Sequence, residues 1–161
     1  MIDKNKITQA LIEELKREFK TLADGATEAR EAAISEESKP ENKYDTRSLE
    51  ASYLAGAQAK RAKELRQIIT QFEKLVPKTF QEGDWIESTA LIHVLIDDNE
   101  KRWFFLTAQK GGMRVMVDGQ MIYTLSLNSP LGRKFVKKMS GDEVEFEAGG
   151  SLRVYSIEGV Y

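Results

Sequence analysis

The chain has 161 residues, 41% of them hydrophobic, which leaves room for one large domain or two small ones. Its 24 basic and 26 acidic residues give a net charge of −2, which excludes a global field driving it onto nucleic acid or membrane; any such contact must be a local patch. With no cysteine and a single histidine, His93, the composition excludes disulfides, zinc ribbons, thiol nucleophiles and multi-histidine metal sites.

The amino terminus, MIDKNKITQALIEELKREFK, is charged and helix-patterned without the apolar stretch of a signal peptide, and no run approaches a membrane span. A cytoplasmic protein with no membrane partner is expected. The first helix is predicted to start between Asp3 and Thr8 and run to about Glu37, because Ile12, Leu15, Phe19, Leu22, Ala26, Ala29 and Ala33 recur at alternating spacings of three and four. Some thirty residues at about 1.5 Å each reach roughly 45 Å, more than a small core needs, so this helix should project. Ala51, Ala55, Ala62, Leu65, Ile69 and Phe72 continue a similar seam on a second helix, interrupted by Gln58. Antiparallel pairing sets Leu15 near Leu65, Phe19 near Ala62, Ala26 near Ala55 and Ala29 near Ala51. The seam passes from Leu, Ile and Phe near its base to Ala23, Ala26, Ala29, Ala32, Ala33, Ala51, Ala55, Ala57 and Ala59 farther out. Small side chains let helix axes approach closely and make a slender rod; alanine is also simply the best helix former.

Between the helices, Ser35 to Arg47 reads SEESKPENKYDTR. Glu36 and Glu37 fall at the carboxyl end of the first helix, where an anion loses a few tenths to about 1 kcal/mol, a cost that invites a use. Ser38 and Glu41 fit a capping box opening the second helix, with Pro40 tolerated in its first turn. Asp45 lies one turn beyond Glu41 on the same face. An outward carboxylate pair suits a hard cation such as Mg²⁺, and the same residues also fit a solvated turn. Lys60, Arg61 and Lys63 are the densest basic cluster of the hairpin and its candidate nucleic-acid contact, partway along the rod rather than at the tip.

Pro77 and the QEGD turn end the helical part, dividing the chain into a coiled-coil hairpin over 1–76, a hinge over 77–84 and a β-rich domain over 85–161. Trp85 to Ile96 is rich in β-branched and apolar residues, and DDNE turns it into a second strand over Arg102 to Thr107. QKGG at 109–112 is another turn, and Met113 to Val117 and Gln120 to Leu127 flank Asp118-Gly119, a dipeptide suited to a tight hairpin turn. Asn128-Ser129-Pro130 starts a short helix with Leu131, Phe135, Val136 and Met139 inward and Arg133, Lys134, Lys137 and Lys138 outward, ended by Gly141-Asp142. Glu143 to Glu147 alternates charged with apolar residues, AGGS turns, and Leu152 to Val160 closes the sheet. The order implies an α+β domain with one sheet face covered and Trp85, Trp103, Phe104, Phe105 and Tyr123 in its core. His93 lies mid-strand and reads as a hydrogen-bonded residue of the sheet. No G-x-S-x-G, P-loop or dinucleotide fingerprint is present. The chain therefore offers no self-contained active site, and neither an enzyme activity nor a cofactor of its own is expected.

The order of α-hairpin, hinge and β-rich domain, the string PENKYDTRSLEASY, the strand opening at Gly83 and above all NSPLGRKFVKKMSGDEVEFEAGGSLRVYSIEGVY resemble the Gre transcript-cleavage factors of bacteria. The resemblance spans nearly the whole chain and implies an N-terminal antiparallel coiled-coil hairpin followed by a small FKBP-like β-rich domain with one short helix. It also implies that the carboxyl domain docks at the rim of the RNA polymerase secondary channel, here through Ser129, Pro130 and Arg133, while the hairpin enters the channel. At its tip the family carries Asp, two intervening residues and Glu-Asn, which help hold the polymerase's second Mg²⁺ and position water for cleavage of backtracked RNA near its 3′ end. Glu41-Asn42 and Tyr44 match the latter part. Ser38 stands where the family has Asp, so Glu37 or Asp45 would have to supply the second carboxylate.

The leading reading is a monomeric, non-enzymatic regulator of RNA polymerase. One version stimulates cleavage through the tip carboxylates; an inhibitory version occludes the channel without cleavage. A DksA-type zinc factor is argued against by the absence of cysteine. The other classes are an FKBP-like prolyl isomerase or chaperone, which needs an apolar, aromatic-lined pocket, and a coiled-coil assembly module, which would run above monomer mass.

Overall fold

The computed structural model describes residues 2–35 and 46–161. In order, the elements are α1 (Lys4–Ile34), α2 (Arg47–Glu73), β1 (Leu91–Ile96), β2 (Glu100–Thr107), β3 (Arg114–Val117), β4 (Gln120–Ser126), α3 (Pro130–Phe135), β5 (Glu143–Ala148) and β6 (Ser151–Val160). This is the expected α+β arrangement of two long helices, then a sheet with one short helix. Packing divides it into two compact units, Ile12–Glu73 on the one hand and Met1–Leu11 with Lys74–Tyr161 on the other. Where the sequence assigned all of residues 1–76 to the hairpin, the first turns of α1 cluster with the β-rich part.

Within the helical unit the seam keeps the predicted rhythm. On α1, Ile12, Leu15 and Ala29 are buried and Phe19, Leu22, Ala26 and Ala33 half-buried, with more exposed residues between them. On α2 the sequence Ser48, Ala51, Ala55, Gln58, Ala62, Leu65, Ile69 and Phe72 advances by three and four throughout. Gln58 therefore does not interrupt the seam, as the sequence suggested, but occupies one of its layers. Room for it comes from Gly25 of α1, where an added Cβ would stand 3.0 Å from the Gln58 side-chain oxygen. That pairing and Arg61 to Glu18 at 3.7 Å run the helices antiparallel within a helical turn of the expected register, whereas Lys16 reaches Glu73 at 2.7 Å, about two turns beyond its expected partner. The alanines separate into two roles. Ala26, Ala29, Ala33, Ala51 and Ala55 lie in the seam, whereas Ala32, Ala57 and Ala59 are exposed and serve only helix propensity. α2 begins at Arg47, after Thr46, whose hydroxyl donates to Glu50 Oε1 at 2.9 Å; the helix therefore opens later than the capping box expected at Ser38 and Glu41, residues that lie outside the described ones.

The β-rich unit is one six-stranded sheet in the order β3-β4-β2-β1-β6-β5, antiparallel except for the parallel pair β2–β4. Two hairpins close on two-residue turns whose both positions are left-handed, as their Gly-containing dipeptides predict: Asp118-Gly119 (φ 49° and 77°) and Gly149-Gly150 (φ 62° and 80°). Alternation sends Ile92, Val94, Ile96, Phe104, Leu106, Tyr155 and Ile157 into a core with Phe135 of α3, all buried. The sheet's other face carries Leu91, Phe105 and Ile122, also fully buried, and the first turns of α1 bring Ile7 and Leu11 to this unit with no exposed surface. Lys4 fastens those turns: its ammonium donates to the carbonyl oxygens of Lys78, Thr89 (3.2 Å) and Tyr161 (2.9 Å) and lies 4.6 Å from the Phe80 ring centre. Burial lowers its pKa to about 8.

Three expectations are corrected. The first strand begins at Leu91 rather than Trp85, because residues 85–90 turn instead; Ile86 exchanges backbone hydrogen bonds with Lys137 and Lys138. Trp85 is consequently 60% exposed and not a core residue. The short helix ends at Phe135, well before Gly141-Asp142, since Lys137 takes a left-handed conformation (φ 64°) that cannot continue it. Among the described residues no helix is long and apolar enough to cross a membrane.

Candidate functional site

The tip residues Glu37, Ser38, Glu41, Asn42, Tyr44 and Asp45 lie outside the described residues. What is described is the helical frame that carries them. Its last layers pack on Ala29, Ala26 and Ala33, while Ile34 and Tyr53 (77% and 72% exposed) and the exposed Leu49 and Leu54 crowd the same end. Sequence reasoning passed over these four. The available signal was that each is a large apolar side chain off the three-four rhythm, Ile34, Leu49 and Leu54 next to the seam positions Ala33, Ser48 and Ala55 and Tyr53 midway between Ala51 and Ala55. Among the described residues no cluster of three or more acids or histidines could hold a metal ion.

Lys60, Arg61 and Lys63 are all exposed on α2. Arg61 reaches Glu18 of α1, while Lys60 and Lys63 have no ion pair among the described residues. A helix spaces positions 60 and 63 on one side, so two uncompensated cations face solvent together.

Ser129 and Pro130 turn out to build α3. Ser129 is its N-cap, with an extended backbone (φ −69°, ψ 156°); its hydroxyl oxygen accepts from Gly132 N at 3.0 Å and donates to Ser126 O at 2.7 Å. Pro130 occupies the first turn, where its missing N–H costs nothing. Arg133 Nε donates to Asn128 O at 3.0 Å, folding the guanidinium back over the same loop. The loop thus presents Asn128, Pro130 and Arg133 outward on a rigid base, with Ser129 half-buried beneath.

His93 is a hydrogen-bonded sheet residue, as expected. Its Nδ1 lies 2.8 Å from Glu158 Oε2, Lys101 lies 3.4 Å from the same oxygen, and the imidazole stacks on Trp103 with ring centres 4.4 Å apart. Burial lowers its pKa, opposed by the Glu158 charge. His93, Trp103, Leu91 and Tyr161 line a cavity of ≈ 680 Å³ that also carries Asp118 and Gln120. It sits on the sheet face away from α3, whereas Phe104 and Tyr123 belong to the core on the α3 side.

No protein-family model and no curated protein matches the sequence. Among solved structures the chain is similar to GreA factor homolog 1 (Gfh1) of Thermus thermophilus, at 16% identity and a TM-score of 0.38 over 93% of this chain and 94% of that one. It is also similar to Gfh1 of Thermus aquaticus (13% identity, TM-score 0.39, 95% of each chain). A third likeness is to the prokaryotic transcription elongation factor GreA/GreB from Nitrosomonas europaea (16% identity, TM-score 0.39, 70% of this chain and 91% of that one). At these TM-scores the fold rests on the elements and register described above.

Proposed function

We propose that this chain binds bacterial RNA polymerase at the rim of its secondary channel, inserts the α1–α2 hairpin into the channel and so regulates transcript elongation. The observation that carries the reading is the resemblance of Asn128 to Tyr161 to the Gre factors, a string that here forms the capped α3 and the β5–β6 hairpin. A heptad-seamed antiparallel hairpin preceding that domain supports it. Asn128, Pro130 and Arg133 form the exposed docking loop, and Glu37, Glu41 and Asp45 assist the polymerase's own Mg²⁺. A carboxylate donor set suits that hard cation, and Asn42 and Tyr44 support the tip. The chemistry belongs to the polymerase; the chain supplies ligands and position.

Ser38 in place of the family's Asp favours the second version of this function, in which the hairpin occupies the channel without promoting cleavage. The deciding experiment adds purified protein to a stalled, backtracked elongation complex across Mg²⁺ concentrations and follows both RNA shortening and nucleotide addition. Parent, Glu41→Gln, Asp45→Asn and Ser38→Asp are compared. Stimulated cleavage that Glu41→Gln weakens assigns the tip to the metal. Slowed elongation in the parent, with cleavage appearing only in Ser38→Asp, assigns channel occlusion. Absence of any effect on a polymerase that also fails to retain the protein refutes the proposal.

A further inference from the structure

Trp85, expected in the core, stands instead in the wall of a cleft. Residues 79–87 and 136–137 enclose an open cleft of ≈ 560 Å³, with Trp85, Phe80, Val136 and Lys137 in its walls. The backbone next to Trp85 is anchored, because its neighbour Ile86 donates to Lys138 O at 2.7 Å and accepts from Lys137 N at 3.1 Å. That two-bond bridge ties the backbone beside Trp85, whose indole is 60% exposed, to Lys137 and Lys138 just past α3.

Charge on the two sides of the cleft is used differently. On the acidic side, Asp84 Oδ2 accepts from Gln81 N at 2.8 Å and Glu87 Oε1 from Lys78 Nζ at 2.6 Å, so both carboxylates are engaged internally; Glu82 is exposed. On the basic side Lys137 lines the cleft, with Lys134 and Lys138 within three residues of it in the chain; Lys134 and Lys137 are exposed and Lys138 half-buried, and none of the three has an ion pair among the described residues. A chain of net charge −2 has no general excess of cations to explain this concentration.

We propose that the Trp85 cleft is a binding site for single-stranded nucleic acid, one base stacking on the Trp85 indole and the flanking phosphates meeting Lys134, Lys137 and Lys138. Single-strand sites combine these two parts, a fixed aromatic face and adjacent cations tracking the backbone. An acidic protein segment would satisfy the lysines but leave the indole exposed. The site belongs to the β-rich unit, whereas Lys60 and Lys63 belong to the helical one, and it stands whether or not the chain engages polymerase.

The test uses the full-length chain and a labelled oligo-uridylate of about twelve nucleotides, read by anisotropy and by tryptophan emission. The expected result is quenching of Trp85 and a salt dependence with log–log slope near −2, from three lysines at about −0.7 each on single strands. Trp85→Ala should weaken binding about five- to hundred-fold, the range for one lost base stack, and abolish the quenching, while Trp85→Phe retains most affinity and controls for folding. Lys134→Gln with Lys137→Gln and Lys138→Gln should flatten the slope; Lys60→Gln with Lys63→Gln should leave it unchanged. Binding insensitive to both Trp85→Ala and the triple lysine variant overturns the proposal. Competition by poly-glutamate as effective as by RNA also overturns it and reassigns the surface to an acidic protein.

Discussion

Replacing Gln58 by Leu should stabilise the helical hairpin, an unusual direction for a buried substitution. Gln58 occupies a seam layer opposite Gly25, and its side-chain oxygen is buried with no hydrogen-bond partner among the described residues. An acceptor left unsatisfied in this way costs about 1–3 kcal/mol. Leucine has a similar volume, fits the same three-four position and removes that cost, so the gain should fall at about 1–3 kcal/mol. Gly25→Ala tests the geometry from the other side. Alanine gains about 1 kcal/mol over glycine in a helix interior, but its Cβ would come within 3.0 to 3.3 Å of three Gln58 side-chain atoms, so the single change should be close to neutral. The assay is urea unfolding followed by circular dichroism at 222 nm, a signal dominated by α1 and α2 with 31 and 27 residues. A loss of stability in Gln58→Leu would refute the reasoning, because it would mean that the amide is satisfied in solution, for instance by a water bridging the layer.

Replacing both Ala29 and Ala55 by Leu should widen the distal seam, leaving the protein helical while weakening its effect on elongation; an unchanged effect in a folded variant would leave helix propensity as the sufficient reason for these alanines. Gly132→Ala should destabilise the β-rich unit by about 2–3 kcal/mol, since its Cβ would fall 1.9 Å from Ser126 O, backbone that cannot rotate away; thermal unfolding of that unit, reported by Trp103 fluorescence, checks it. His93 should make the protein less stable in mild acid. Its folded pKa is lowered from 6.5, so the stability is present above pH 6.5 and is lost as pH falls below that value, and His93→Gln should flatten denaturant midpoints measured between pH 7.5 and 5.5.

Periodicity carried the helical unit because a heptad seam repeats one simple rule many times. Gln58 obeyed the rule in position while breaking it in polarity, which is why composition marked it as an interruption and geometry restored it. The hairpins were legible for a related reason: Asp118-Gly119 and Gly149-Gly150 demand left-handed backbone at both turn positions. Residues 85–90 were not legible. Their apolar content resembles a strand, yet Ile86 spends its backbone hydrogen bonds on Lys137 and Lys138, a partner 51 residues away that no local pattern announces. The parallel β2–β4 pair is hidden likewise, since strand spacing says where strands lie but not which neighbours they take.

The string that carries the family resemblance is also where structural and functional demands are hardest to separate. Ser129 caps α3 with two hydrogen bonds, Pro130 opens its first turn, Gly132 permits the approach to Ser126, Asp142 Oδ2 accepts from Met139 N at 3.0 Å, and Gly149-Gly150 make the last turn. Each has a sufficient reason in the fold. A variant such as Ser129→Ala, expected to cost about 1 kcal/mol through the lost cap, could therefore reduce polymerase binding without ever having touched polymerase. Arg133 is different in kind. It is exposed, and among the described residues its guanidinium bonds Asn128 O through Nε, so Arg133→Gln perturbs the fold little while removing the charge. If the loop docks as proposed, Arg133→Gln should weaken binding at unchanged melting temperature, and the loss should shrink as salt rises and screens the contact. Binding reduced by Ser129→Ala in proportion to its stability, with Arg133→Gln indistinguishable from the parent at low salt, would mean that the matched string specifies the domain and that the docking surface lies elsewhere on it.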